Sequence, residues 1–281
     1  MTHGILTVTS PDRPGLIAGV TSMLALHGAN IVEARQHTEQ STGRFFMRVQ
    51  FEPREATLEG LSAGMTSLAA QYDMEWRLRS TDQPPRMAIM VSKYDHCLLD
   101  LLWRQRAQEI HAEIPLVISN HPDLRPVVEG FGIPYYHVPI TKDTKQQQEE
   151  KELELLREHS VDFVALARYM QVLSPVFLGG YPLQVINVHH GLLPSFPGAK
   201  PYEQARDRGV KVIGATAHFA TEELDDGPII DQEAVTVTHR ESVAELVRKG
   251  RDAERLVLAR AVRAHAENRV FVDGRRTVVF A

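Results

Sequence analysis

The sequence predicts an α/β protein of two domains. Residues 1–82 should form a ferredoxin-like βαββαβ unit, and residues 83–281 a larger, mostly parallel sheet covered by helices. Three observations predict it. Strand and helix periodicities follow one another in the order βαββαβ over the first part of the chain. The stretch Ser80–Arg86 (STDQPPR) is polar and proline-rich, the composition of a linker. Beyond it, short continuous apolar runs alternate with helical or polar stretches, the signature of strands buried on both faces.

A first strand covers about His3–Thr9. Pro11-Asp12-Arg13-Pro14-Gly15 then supplies the turn chemistry that opens a helix. Leu16, Val20, Leu24 and His27 fall at helical spacing, and Gly28 ends that helix. Asn30–Glu39 is the second strand, and Ser41-Thr42-Gly43 a turn. The third strand alternates, with Phe45, Met47, Val49 and Phe51 on one face and Phe46, Arg48 and Gln50 on the other. Leu58, Leu61, Met65 and Leu68 mark a second helix; Met74, Trp76 and Leu78 mark a last strand. The apolar runs of the second domain are Met87–Val91, Ile114–Ile118, Tyr135–Val138, Phe163–Ala167 and Val185–Val188. Lys142–Lys151, charged and glutamine-rich, is expected to be a solvated helix face. Glu241–Ala266 reads as one long helix, and a short strand pair around Gly274 follows it.

Composition narrows the function classes. Of 281 residues, 43% are hydrophobic and 24% charged, enough apolar material for a core without disulfide staples. The formal charge of −5 argues against a nucleic-acid binder that works through its overall field. Cys97, the single cysteine, excludes an intramolecular disulfide and a CxxC metal site, and reads as a small apolar helix residue. The N-terminus MTHGILTVTSPDRPG does not have the pattern of a signal peptide. No run approaches the roughly eighteen apolar residues of a membrane span. The expectation is a cytoplasmic protein with no nucleic-acid or membrane partner.

In an open α/β sheet, ligands sit beyond the carboxyl ends of the strands. Val185–Val188 ends in Asn187-Val188-His189-His190-Gly191 and runs into Leu192–Gly198, a segment stiffened by two prolines. Alternation puts Asn187 and His189 on one face and His190 on the other. Thr216-Ala217-His218-Phe219 ends another strand, ahead of a shaped loop, Ala220–Gly227, that carries Glu222, Glu223, Asp225 and Asp226. An amide and an imidazole can donate to a carbonyl oxygen as negative charge grows on it, and losing one such donor costs about 10²–10³ in rate. A nearby Asp can orient the imidazole and relay protons. The histidines could equally be structural, and the acidic loop a solvated turn. A metal site drawing on His189 and His190 is disfavoured, because adjacent strand residues point apart.

Asn187-Val188-His189-His190-Gly191-Leu192-Leu193-Pro194 resembles the N-x-H-x-x-L/F-L-P signature of the 10-formyltetrahydrofolate-using enzymes. His218-Phe219 followed by Leu224-Asp225-Asp226-Gly227-Pro228-Ile229-Ile230 resembles their second signature. The resemblance implies a Rossmann-like formyltransferase domain with Asn187, His189 and Asp225 as the catalytic residues. It also implies a folate pocket in which Met170, Val172 and Leu173 flank the pterin and the loop Ala220, Thr221, Glu222 and Glu223 closes over it. The folate is substrate; no cofactor and no metal is implied.

Within that family the chain resembles the deformylases. No glycine lies between Arg86 and Glu129, where the ribonucleotide transferases carry a glycine-rich phosphate cradle. His190 stands where transferases usually have proline, and is a candidate for holding water or excluding acceptors. The first domain resembles an ACT domain, which implies a homo-oligomer and an amino-acid effector near Asp12, Gly15 and Asn30. One departure is Gly191, where deformylases usually carry serine. The implied reaction is hydrolysis of 10-formyltetrahydrofolate to tetrahydrofolate and formate. The alternatives are formyl transfer to an amine and a non-enzymatic folate or amino-acid sensor.

Overall fold

The computed structural model describes residues 3–195 and 201–281. They divide into two compact units, one running to Pro84 and including Asn268–Ala281, the other spanning Pro85–Glu267.

The first unit has the predicted βαββαβ order: β1 (Gly4–Pro11), α1 (Leu16–Leu26), β2 (Asn30–Glu39), β3 (Arg44–Glu52), α2 (Leu58–Tyr72) and β4 (Glu75–Ser80). The sheet order is β2-β3-β1-β4, antiparallel throughout. The alternation in β3 decides which face meets the helices. Phe45, Met47, Val49 and Phe51 pack with Leu16, Val20 and Leu24 of α1 and Leu61 and Met65 of α2. Phe46 and Arg48, on the opposite face, are also buried.

The second unit carries β5 (Met87–Val91), α3 (His96–Arg106), β6 (Val117–Ser119), α4 (Arg125–Gly130), β7 (Tyr135–His137), α5 (Lys145–Glu158) and β8 (Phe163–Ala167). It continues with α6 (Pro175–Gly180), β9 (Val185–His189), α7 (Pro201–Arg208), β10 (Val212–Phe219), β11 (Ile229–Thr236) and α8 (Val243–Ala266). The sheet order is β11-β10-β9-β8-β5-β6-β7. Strands β5 to β9 pair in parallel, and β10 and β11 are antiparallel additions beside β9. The continuous apolar runs are the fully buried strands: every residue of β5 and of β8 is buried. Helix α8 starts at a capping box between Ser242 and Glu245.

Three expectations need correction. Residues 268–281 do not belong with the second unit. Their hairpin, β12 (Val270–Asp273) and β13 (Arg276–Val279), joins the first unit, where Phe271 and Phe280 cluster with Phe46. The Phe46 and Phe271 rings meet edge to face at 5.7 Å, and Thr42 Oγ1 donates to Asp273 Oδ2 at 2.9 Å. Lys142–Lys151 is not wholly solvated. Glu149 within it is 4% exposed, because its carboxylate accepts from the Ser174 backbone N–H at 3.0 Å. Finally, His190 lies beyond the end of β9, so strand alternation does not govern its side chain.

Candidate active site

Strand alternation and register assemble the site. Asn187 and His189 share a face of β9, and antiparallel pairing sets His218 of β10 opposite Asn187 and Thr216 opposite His189. A register shift at Ala217/His218 interrupts the β10–β11 pairing at this point. The loop after β10 then doubles back. The Phe219 N–H bonds the Pro228 carbonyl at 3.0 Å, and a Cβ on Gly227 would lie 1.8 Å from the Phe219 oxygen. Only glycine permits that approach. The fold-back presents Asp225, itself in the left-handed region at φ +58°, to both histidines.

Four side chains form a connected chain. His189 Nδ1 lies 3.1 Å from Asp225 Oδ2, and His218 Nε2 lies 3.8 Å from Asp225 Oδ1. Asn187 Nδ2 is 3.2 Å from His218 Nε2. The His218 tautomer follows from its other nitrogen, which meets the Phe219 carbonyl at 2.9 Å and must donate to it. Burial holds His218 below the usual imidazole value, so it is neutral and its Nε2 accepts from Asn187. One amide hydrogen of Asn187 is thereby fixed and the second left over. The hydrogen bond from His189 holds the Asp225 carboxyl below its ordinary value, against partial desolvation. His189 Nε2 is buried and has no hydrogen-bond partner among the described residues.

Asn187, His189, His190, His218 and Asp225 line a cavity of about 640 Å³. The His190 ring lies 5.2 Å from that of His189 and 6.0 Å from that of Tyr202. Burial, with Arg168 nearby, lowers its pKa to about 4, so it is neutral at physiological pH. Met170, Val172 and Leu173 line the cavity, as do Ala220 and Thr221. Glu222 and Glu223 are exposed and do not line it. The 168–174 segment is anchored from below and beside. Tyr169 Oη donates to Glu152 at 2.7 Å, and the Met170 N–H donates to Ser92 Oγ at 3.0 Å. Residues 196–198 of the proline segment lie outside the described residues.

The part of His218 in holding Asn187 is not visible in the sequence, because the register of β10 on β9 is a long-range property. A second missed feature is a buried charged cluster on the same cavity. Glu254, 1% exposed, accepts from His96 Nε2 at 2.7 Å and from Tyr202 Oη at 2.9 Å, with Arg168 Nε 3.6 Å away. Ligand atoms of His96, Cys97 and Glu254 lie within 4.8 Å of one another, a spacing open to a metal ion. In the structure described, Glu254 is bonded to His96 and a guanidinium stands beside it.

Among the predicted effector residues, Asp12 and Gly15 lie in the turn between β1 and α1, and Asn30 starts β2. Pro11, beside Asp12, pairs with Arg44 at one end of β3; Asn30 pairs with Glu52 at the other. At about 3.3 Å per residue that separates them by roughly 26 Å within one protomer.

Comparison with known proteins covers both units. The formyl transferase family model matches residues 85–262, and the ACT domain model residues 4–59. A formyltetrahydrofolate deformylase of Synechocystis sp. is 50% identical over 278 residues, 98% of each chain. One of Bacillus subtilis is 46% identical over 281 residues, 99% of this chain and 93% of the relative. The crystal structure of a formyltetrahydrofolate deformylase from Pseudomonas syringae pv. tomato is similar with a TM-score of 0.98 and 47% identity, over 100% of this chain and 95% of that one.

Proposed function

We infer the roles of individual residues from one premise: the chain belongs to the formyltetrahydrofolate deformylase family, hydrolases that act on a formyl C–N bond. The reaction converts 10-formyltetrahydrofolate and water to tetrahydrofolate and formate. The observation that carries the residue assignment is the chain Asn187–His218–Asp225–His189 on a single cavity.

The free hydrogen of the Asn187 amide points the formyl oxygen, and the imidazole of His189 stands beside it to stabilise the oxyanion. Asp225 is ionised at neutral pH, and Oδ2 is engaged by His189. Oδ1 is the oxygen available to a water. That water attacks the formyl carbon as Asp225 takes its proton. Collapse of the tetrahedral intermediate breaks the C–N10 bond, and the proton held by the Asp225–His189 pair passes to N10. Formic acid loses its remaining proton to solvent, so one water yields a secondary amine, formate and a proton.

Met170, Val172 and Leu173 flank the pterin in this reading, with Ala220 and Thr221 opposite and Glu222 and Glu223 at the exposed rim. The reaction as drawn uses side chains and water alone, and fits a cytoplasmic enzyme. His190, neutral and packed between His189 and Tyr202, occupies space an amine acceptor would need. The separation of Asp12 and Gly15 from Asn30 supports an amino-acid site shared between two copies in a homo-oligomer, one supplying the turn and the other the start of β2. Calorimetry with a panel of amino acids tests it; no heat from any of them removes the effector.

The direct test measures formate and tetrahydrofolate together, with and without amines. Equal release of both is expected. Formate well below formyl loss in the presence of an amine would make the chain a transferase, and no turnover at all would make it a sensor. Asp225→Asn should lower kcat by about 10³ or more. Full activity in that variant removes Asp225 from the mechanism.

A further inference from the structure

The buried charged cluster contains an anomaly that the hydrolytic mechanism does not use. Arg168 is the first residue after β8 and holds the left-handed conformation at φ +63°, a strained state for a side-chain-bearing residue. Its carbonyl accepts from the Ser92 N–H at 3.2 Å, which fixes the turn. Its side chain is 11% exposed, yet Nε and Nη1 are buried and hydrogen-bond to nothing among the described residues. Buried donors without an acceptor are rare and costly. Glu254 balances its charge as an ion pair but makes no hydrogen bond to it. It lies beyond hydrogen-bond distance at 3.6 Å, and its oxygens accept from His96 and Tyr202. Arg251 brings a second guanidinium. Both sit over the Tyr94 ring, at 5.3 Å for Arg168 and 5.5 Å for Arg251, and both line the cavity.

We propose that Arg168 and Arg251 form a subsite for a small carboxylate, and that its occupant is the formate produced at Asp225. This rests on the deformylase reading. The reaction turns a neutral formamide into an anion beside an ionised aspartate, which repels it. His190 lines the same cavity, its ring tilted 41° to that of His189 at 5.2 Å, and in its neutral form it does not compete with the guanidiniums for the anion. A guanidinium pair on the same cavity draws the anion away from the carboxylate that made it, through charge-assisted bonds suited to a planar two-oxygen group.

A carboxylate could also come from the glutamate tail of the folate, and the experiment separates the two. Formate is titrated onto the protein alone, by calorimetry or by ¹³C-formate resonance broadening, and as an inhibitor of turnover. Arg251 is exposed, so Arg251→Gln should fold normally; Arg251→Lys and Arg168→Gln accompany it. The expected result is formate binding and inhibition in the wild type, weakened about tenfold or more in both Gln variants and less in Arg251→Lys. KM is measured in parallel for 10-formyltetrahydrofolate and for the 10-formyl pteroate lacking glutamate. A rise confined to the glutamylated substrate assigns the guanidiniums to the tail and overturns the proposal. Formate constants unchanged in both Gln variants, or no formate binding by the wild type, overturn it too. Binding needs no turnover, so failure of the deformylase reading shows separately, as a protein that releases no formate.

Discussion

His189 is held at Nδ1 by Asp225, and residue 191 lies close beside its ring. A Cβ at residue 191 would lie 3.0 Å from His189 Nε2, so any side chain there forces the ring or the backbone to give by a few tenths of an ångström. Gly191→Ala is expected to lower kcat about tenfold with little change in KM, since misplacing a catalytic ring harms the transition state more than binding. Gly191→Ser adds a hydroxyl that can partner the buried Nε2 and should recover part of the loss. An alanine variant with wild-type kcat would show that the ring has slack. That Asn187, His189 and Asp225 meet on one cavity is legible in the sequence, because a strand's alternation and two linked motifs isolate them. His218 as the anchor of Asn187 is not, since its partner is 31 residues away across a strand pairing.

Helix α5 shows what composition conceals at the scale of an element. Its charge-rich sequence suggests a solvated face, but Glu149 and Glu152 turn inward and hold the segment that lines the cavity. Glu152 is fully buried, with Oε2 unbonded, and burial pushes its pKa up to about 7 against the Tyr169 hydrogen bond. Unfolded, the carboxyl ionises near 4.5. Between the two values the folded protein keeps a proton that the unfolded chain has lost, so stability falls as pH rises through this window. Glu152→Gln keeps the acceptor for Tyr169 and removes the ionisation. Urea unfolding at pH 5 and pH 8 should show it gaining on the wild type by about 2–3 kcal/mol between the two. A difference independent of pH would place the ionisation elsewhere. Strand β11 was also hidden in the sequence. Among the described residues it is an edge strand paired only with β10, and Asp231 and Glu233 on its less exposed face ion-pair with Arg260 of α8. Those charges break the apolar run by which the buried strands announce themselves.

For the whole molecule, the division into two units was legible from Ser80–Arg86, but the return of the chain to the first unit was not. Nothing local in Val270–Val279 says which sheet it will cover. The answer lies in Phe46, an aromatic on the face of β3 turned away from the helices. Phe271→Ala should destabilise the first unit by about 3 kcal/mol and leave turnover at low temperature unchanged. Differential scanning calorimetry with an activity assay checks it; an unchanged unfolding profile would show the hairpin to be a passive cover.

That hairpin has a consequence for synthesis. Chains ordinarily fold from the N-terminus as they leave the ribosome. Here the domain that emerges first keeps an aromatic face open until Phe271 and Phe280 have been made, after the whole catalytic unit. The first domain to be translated is the last to be finished, and the catalytic unit is topologically an insertion within it.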